Sequence, residues 1–486
     1  MARRPAPISL PFTNGFYQSR SRPLSSQRCV NWYPQVNTAA ALNQENLYPT
    51  PGINQIVSGL DGLGRGAHVW NGILYVVCGR KLYRINQIQN PDGSETFTPV
   101  VIGDIGGDVD VIMTSMKAQL CVLVPDVTTT ASGNAYIYDG ATLADVTAEA
   151  NFLSPAISVV AIDSYFVFAQ YNTRFIFHSN LNDGTTFNAV DAWEIQQFPN
   201  CNALVVYQNN LYAMGESATV PFYNAEDAEF AFRPSPNSVI DSGIAGQYAV
   251  TPYRGSFVYL GSGQNAERAV WLFSGGQPEK LSDNTIDFVI QNQTADDISN
   301  AKLVRHSQNG AEFVALFVGD WCFVYDLVSA KWHERRSSIP NGNGFIDAPW
   351  RAKHIIQAYN RVIVTDSSLG SLGLLDDTIH SEYGNGMRSY FITQPFMNQG
   401  QRIRVPALEV YCDVGNAEGE NMQLEWSDDG GFNYSNTMSR KIGGTGEYGR
   451  RVVFDRLGAV PNTRMLKVSY DGAKAMSINA LMATTL

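Results

Sequence analysis

Several groups of residues in this sequence have types and spacings that could do chemistry. Gly62-Leu-Gly64-Arg-Gly66-Ala67 has the glycine spacing of a dinucleotide-binding turn. Such a turn cradles a pyrophosphate only between a strand and the helix that follows it. Here the apolar strand run Ile73 to Val77 comes next and no helical repeat follows, so the match is a loop lookalike. Ser427-Asp-Asp429-Gly-Gly431-Phe-Asn-Tyr434 brings a hydroxyl, two carboxylates and two glycines together, and Asn182-Asp-Gly-Thr-Thr-Phe187 is a looser copy. A short acidic side chain there bonds backbone amides at a tight turn, which accounts for Ser427, Asp429 and Gly431 without any reaction. A glycan hydrolase would need two carboxylates facing each other across a pocket. Asp163, Glu194, Asp241 and Asp287 are candidates, and nothing in their spacing groups them. No phosphate-binding Gly-Lys-Ser loop and no Gly-x-Ser-x-Gly elbow is present. The six histidines and six cysteines are scattered, without a His-x-x-x-His pair or two neighbouring cysteines. Buried free thiols are expected, and no catalytic residue, cofactor or metal.

The elements that would position these residues repeat. Gly66-Ala-His-Val-Trp-Asn-Gly-Ile-Leu-Tyr-Val-Val-Cys-Gly79, followed by Lys81-Leu-Tyr-Arg-Ile85, has echoes about every 45 residues. Examples are Gln119 to Val124 with Ala135 to Gly140, Ser164 to Ala169 with Arg174 to Phe177, and Gly255 to Leu260 with Ala269 to Phe273. Lys302-Leu-Val304 leads into Phe313 to Phe317 and Trp321 to Asp326, and Lys353-His-Ile-Ile356 leads into Asn360 to Val364. Each run is short enough for a strand and too short for a helix. A unit of roughly 40–50 residues with several such strands is the signature of a propeller blade. Charged residues are 16% of the chain, below the usual share of about 25%, so much of the surface of these strands must be covered. No amphipathic helix is legible.

The ends differ from the repeats. Phe12, Phe16, Tyr17, Trp32, Tyr33 and Tyr48 are large aromatics set among proline-rich, extended pieces. Two readings stand equally: an arm that wraps another surface, with these six as interface residues, or a strand that closes the propeller ring. Beyond about Ser389 the period stops. Ile403 to Tyr411, Met422 to Trp426, Arg451 to Phe454 and Met465 to Tyr470 alternate apolar and polar residues, as strands of a small sandwich do. The expected fold is all-β: a six- or seven-bladed β-propeller over residues 61–393, an N-terminal extended arm over 1–60 and a β-sandwich domain over 394–486.

The balance of 34 Lys+Arg against 45 Asp+Glu gives a net charge of −11, which argues against a general nucleic-acid binder. It is compatible with a wall along which DNA slides. No apolar run approaches the ~20 residues of a membrane span, and no apolar signal core follows the cationic N-terminus. Synthesis in the cytoplasm is expected. The Ser427–Tyr434 stretch resembles the Asp box of sialidase-type propellers, a hairpin-turn device there and not an active site. That enzyme type would also want clustered arginines for a substrate carboxylate, and the repeats are arginine-poor.

A second resemblance spans most of the chain in order. Val30-Asn-Trp-Tyr33 with Pro51-Gly-Ile53, Tyr75 to Gly79 with Lys81-Leu-Tyr83, Gly243-Ile-Ala-Gly-Gln-Tyr248, Ser427 to Gly431 and Phe454-Asp-Arg-Leu-Gly458 resemble the packaged-DNA stabilisation proteins of short-tailed bacteriophages, the tail hub or nozzle subunits. The stretch from Asn86 to Glu95 and the C-terminal loops depart from that pattern. The resemblance implies a structural virion protein of the phage tail, made in the host cytoplasm. It implies a homo-oligomer ring of six copies that continues the DNA channel below the portal and adaptor. Such a ring helps retain the packaged genome and carries the tail needle, fibres or spikes. Double-stranded DNA would pass without sequence-specific binding, along acidic loops of the propeller edge or sandwich. If the N-terminal arm grips a neighbour, deleting residues 2–50 should abolish attachment and leave a folded monomer. Two other classes are a propeller hydrolase of surface polysaccharide and a host-glycan-binding tail protein, with Trp426, Phe432 and Tyr434 as a sugar-stacking face.

Overall fold

The computed structural model describes residues 6–21, 24–37, 43–127, 135–227, 229–236, 238–261, 267–274, 276–342, 344–397, 403–415 and 419–485. Seven four-stranded antiparallel blades surround one axis. Blade one runs from Gly64–Trp70 to Glu95–Asp104, two from Ile112–Ser115 to Leu143–Asp145, and three from Ala156–Ile162 to Ala192–Glu194. Four runs from Cys201–Tyr207 to Phe232–Pro234, five from Val250–Tyr253 to Gln277–Lys280, and six from Lys302–Gln308 to Lys331–Glu334. The first strand of each blade is innermost, and these strands lie side by side around the axis. In six blades the first hairpin turns through two consecutive residues of positive φ: 71–72, 163–164, 208–209, 254–255, 309–310 and 359–360. This is the geometry that matches the twist of the flanking strands, and it explains the Asn-Gly punctuation of the repeat. The apolar runs then interleave between neighbouring blades as continuous cores.

Blade seven settles the blade count. Its first three strands, Ala352–Ala358, Arg361–Asp366 and Leu372–Asp376, come from the end of the repeat. Its fourth is Gly52–Val57, paired antiparallel to Leu372–Asp376. The ring is therefore closed by a strand from the N-terminal region, the second of the two readings for that segment. Gly52 is required there, because a Cβ would sit 2.5 Å from the Ser381 carbonyl oxygen.

Several other described strands of the N-terminal region are built into the sandwich. One sheet runs Trp32–Val36, Glu45–Pro49, Ile478–Thr485, Ala407–Cys412, Val452–Asp455, with Ala6–Ser9 on Ile478–Thr485. The other contains Ser389–Ile392, Thr463–Tyr470, Asn421–Ser427 and Met438–Lys441. Between them lies a core in which Leu10, Phe12 and Trp32 pack with Phe391, Leu424 and Leu481. The strand Ser26–Val30 pairs with both Lys331–Glu334 of blade six and Ser389–Ile392 of the sandwich, so one sheet continues from propeller into sandwich. Residues 1–60 thus form no separate arm in the described region, and the sandwich sheet begins at Ser389 ahead of the expected 394. The physical reason is that the two C-terminal sheets need the N-terminal strands to cover their edges and fill their core.

One further difference is helical. Asn284–Gln291 is a short helix capped by Asp283, whose carboxylate accepts from the Thr285 and Ile286 amides at 2.8 and 2.9 Å. Eight residues are too few for a readable period. Among the described residues no helix is long and apolar enough to cross a membrane.

Candidate functional site

The propeller axis is the natural place for a site on this fold, and here charged side chains from several blades meet at it. The residues that precede or open the inner strands of several blades converge at one end. Asp110, just before blade two, faces Lys302 of blade six and Lys353 and His354 of blade seven, across the axis. Its carboxylate lies 3.0 Å from Lys353 Nζ, 3.5 Å from Lys302 Nζ and 3.6 Å from His354 Nε2. Lys302 Nζ is 2.5 Å from His354 Nδ1. The Tyr248 hydroxyl, from the approach to blade five, donates to the Asp110 carbonyl at 2.6 Å. Arg65 is buried beside this group and donates to the carbonyls of Val109, Gly79 and Gly106 at 2.5, 2.7 and 3.0 Å.

Burial works against charge at each of these groups, and the partners decide the outcome. Burial alone would raise the Asp110 carboxyl, but Lys302, His354 and Lys353 hold it well below the usual carboxylate range. Burial pushes Lys302 down to about 8 against the pull of Asp110. It pushes His354 down to about 4, with Lys302 adding to the effect, so this imidazole is neutral at pH 7. The result is an ionic plug. Behind it lies a cavity of about 400 Å³ walled by apolar inner strands, with Lys302, His354 and Gln247 at its polar side. On the other side, a pocket of about 550 Å³ is lined by Asp126, Glu216, Asp296, Asn172, Asn200 and Asn202, and among the described residues no cationic side chain lines it.

The four candidate carboxylates are not brought together as a hydrolytic pair. Asp163 sits in the first hairpin turn of blade three and accepts from Asn224 at 2.9 Å. Glu194 is on the outer strand of the same blade, paired with Arg174 at 2.5 Å. Asp241 lies on the link between blades four and five, and Asp287 is in the short helix, where Ser282 donates to it at 2.5 Å and Lys280 pairs with it. These four carboxylates belong to four separate neighbourhoods. Among the described residues no three His, Cys, Asp or Glu side chains gather as metal ligands. All six cysteines are free, and burial raises each thiol.

The Asp-box lookalike is a turn. Ser427 Oγ donates to Asp429 at 2.7 Å and accepts from the Gly431 amide at 2.8 Å. Asp429 accepts from the Phe432 and Asn433 amides at 3.0 Å each and from the Asn433 side chain at 2.7 Å. The Asn433 bonds, then the Ser427 hydroxyl, bring Asp429 down to about 2. Gly431 has φ +87, a backbone state that favours glycine. Asp183 makes the looser copy in the same way, accepting from Thr185 N at 2.9 Å and Thr186 Oγ1 at 2.8 Å.

The six aromatics singled out in the N-terminal region fall into two groups. Phe12, Phe16, Trp32 and Tyr33 are buried inside this chain. Phe12 packs on Phe391 at 5.6 Å, Phe16 on Phe323 at 4.8 Å and Tyr33 on Phe313 at 5.3 Å, while Trp32 Nε1 donates to the Met476 carbonyl at 2.8 Å. Their partners within the chain correct the expectation that these four face a neighbour. Tyr48 is half-buried against Tyr33, and Tyr17 is 43% exposed beside the helix Asn284–Gln291. Of the proposed sugar-stacking trio, Phe432 is exposed, but Trp426 and Tyr434 pack against the sandwich core. The axial plug was not foreseen. Its one signal is a lysine at the start of an inner strand, Lys302 as the first residue of Lys302–Gln308 and Lys353 as the second of Ala352–Ala358.

Comparison with known proteins agrees with this architecture. The chain is similar to the tail hub protein gp10 of Salmonella phage P22, with 21% identity over 426 residues, 84% of this chain and 85% of the relative. Among solved structures, the computationally designed Ika8 protein has a TM-score of 0.37 and 12% identity over 66% of this chain and 99% of its own. An exo-β-1,3-galactanase from Phanerochaete chrysosporium has a TM-score of 0.27 and 8% identity over 88% of this chain and all of its own (100%). These two structural likenesses are too weak to bear on function. The family described as bacteriophage P22 Gp10, beta-propeller, matches residues 8–380, its beta-sandwich counterpart matches 388–485, and this chain belongs to that family.

Proposed function

We propose that this chain is a structural subunit of a bacteriophage tail and not an enzyme. Copies, six as the resemblance implies, form a ring whose common opening continues the DNA channel below the portal and its adaptor. The ring helps retain the packaged genome, lets it pass on ejection and carries the needle, fibre or spike proteins below. One observation carries this reading: the likeness to a tail hub protein runs over 84% of this chain and 85% of the relative, propeller and sandwich together. The axis geometry supports it. A cavity of about 400 Å³ has room for roughly a dozen waters at about 30 Å³ each. A duplex whose major groove alone is about 12 Å wide does not fit there. The passage for DNA therefore lies between copies, and the propeller serves as a rigid wall segment. An acidic balance of −11 favours a wall from which phosphates are released, since each Lys or Arg contact would add electrostatic attachment.

The test is genome retention by particles assembled without this chain, with the purified 53.4 kDa protein added back. DNA leakage that is stopped by add-back, with native mass spectrometry showing a closed oligomer on the particle, supports the reading. Particles that keep their DNA and lose only attachment to the host surface would overturn it in favour of a host-binding part.

A further inference from the structure

We infer that the seam between blades six and seven holds a small inorganic anion of the halide class, bound by Arg335 with His306 and His333 beside it. Arg335 follows the strand Lys331–Glu334, and its backbone amide donates to the Cys322 carbonyl at 3.0 Å. Its side chain is 1% exposed and lies between two aromatic faces, 5.2 Å from the Phe313 centroid and 5.0 Å from Trp350. Nε, Nη1 and Nη2 have no hydrogen-bond partner among the described residues. The flanking residues do not help, because Glu334 pairs with Arg28 and Arg336.

The two histidines are in the same condition. His306 stacks on Phe313 at 5.3 Å, and His333 meets the same ring edge-on at 5.8 Å. They are 5% and 0% exposed, and none of their four ring nitrogens has a hydrogen-bond partner among the described residues. Burial first, and the Arg335 charge second, hold both imidazoles far below their usual range. Each is therefore neutral and offers one N–H donor. The carboxylate that Arg335 feels is Asp377, which is not within ion-pair distance and instead accepts from Gln308 and from Asn309 at 2.7 Å.

Seven buried nitrogens, five of them donors, thus gather round one phenyl ring with no hydrogen-bond partner among the described residues. A guanidinium cannot neutralise itself by losing a proton near pH 7, and an unpaired buried charge is strongly unfavourable. Most buried polar groups in folded proteins are hydrogen-bonded, so such a set calls for an acceptor from outside the chain. The donor-only chemistry of Arg335 selects an anion over a cation. Closure on all sides selects a monatomic or similarly small ion over a phosphate ester or a peptide carboxylate. Cl⁻ meets both conditions. Held there, it would tie blade six, which carries His306 and His333, to Trp350 at the entry to blade seven, beside Tyr33 of the N-terminal region.

The test uses the full chain with bromide as probe. Crystals grown with bromide replacing chloride should show an anomalous peak within hydrogen-bond distance of the Arg335 guanidinium. In solution, unfolding is followed in sodium bromide or chloride against sodium gluconate at equal ionic strength. Above the dissociation constant, the apparent unfolding constant should fall about tenfold for each tenfold rise in halide. Arg335→Met should abolish that dependence; if it does not fold, His306→Phe should weaken it while the wild-type bromide map stands on its own. Water alone at Arg335, with no halide dependence of wild-type stability, would overturn the assignment. So would a dependence of equal size in the variant.

Discussion

Two buried ion-pair groups set what single residues contribute. Glu334 is fully buried and accepts from Arg28 Nε and Nη2 at 2.7 and 2.6 Å and from Arg336 Nε at 3.2 Å. Asn31 next to it, at φ +56, joins three segments, donating to the Arg336 and Arg388 carbonyls at 2.9 and 2.7 Å. Arg28→Met removes the main counter-charge together with the guanidinium that lies over Trp321 and Tyr390. Breaking a buried pair from one side costs about 3–5 kcal/mol, and the remaining Arg336 places this case near the lower figure. The urea midpoint should drop with an unchanged slope. A midpoint within error of wild type would mean that water reaches Glu334. At the axis, Asp110→Asn leaves Lys302 and Lys353 facing each other without their shared carboxylate. A loss of about 3–5 kcal/mol is expected, and the double variant Asp110→Asn/Lys302→Met should lose less than the two single changes added together. Strict additivity in that cycle would dissolve the plug as a unit.

At the scale of elements, the N-terminal strands decide whether the ring closes. A chain beginning at residue 58 lacks Gly52–Val57 and the sandwich strands before it. Leu372–Asp376 is then an unpaired edge and the sandwich core loses Phe12 and Trp32. We expect aggregation and loss of a single cooperative transition by circular dichroism, in place of the folded but unattached monomer that a free arm would give. By contrast, the hairpin joining Lys81–Gln89 to Glu95–Asp104 projects from blade one, and shortening Asn90–Ser94 to a two-residue turn should move stability by no more than about 0.5 kcal/mol. This contrast also marks what the sequence makes legible. Strand runs such as Ile73–Cys78 and the Asn71-Gly72 turn carry their structure locally, so the propeller and the alternating sandwich strands can be read directly. The destination of Ser26–Val30 or Gly52–Val57 cannot: apart from the short strand Tyr17–Gln18 beside Ser26–Val30, their partners lie more than 300 residues away, and any apolar extended piece fits either role. The plug is illegible for the same reason: Asp110 and Lys302 are 192 residues apart and only ring closure brings them together. The Ser427–Gly431 turn is legible because the bonds that shape it, from Ser427 and Asp429, are local; the contacts of Arg464 with Asp428 and of Ser26 with the Gly430 carbonyl are not.

Across the whole molecule, the histidines make the fold sensitive to acid. All six are shifted down, with burial as the leading cause, and His68 and His354 fall to about 4. They are spread over blades one, three, six and seven and, at His380, the junction with the sandwich, so no one blade carries the effect. In the unfolded chain each titrates near 6.5. Between about 4 and 6.5 the unfolded state therefore binds more protons than the folded state. Stability is complete above that window and declines as pH falls through it, by about 1.4 kcal/mol per proton per pH unit. Glu382 acts in the opposite sense. Burial raises it to about 7, so below that value the folded state holds its proton and gains up to one proton's worth of stability as pH falls toward 4.5. Asp283 and Asp377, also raised by burial, act with Glu382, but the six histidines outnumber these three and leave acid destabilisation dominant. Urea unfolding between pH 7.5 and 4.5, in chloride-free buffer so that His306 and His333 are not shifted by a bound halide, should show a net uptake of roughly three to five protons per molecule near pH 5.5. A flat profile would require the imidazoles to be open to water or already charged in the folded chain. That would contradict both the buried ring and the apolar seam in which Arg335 lies.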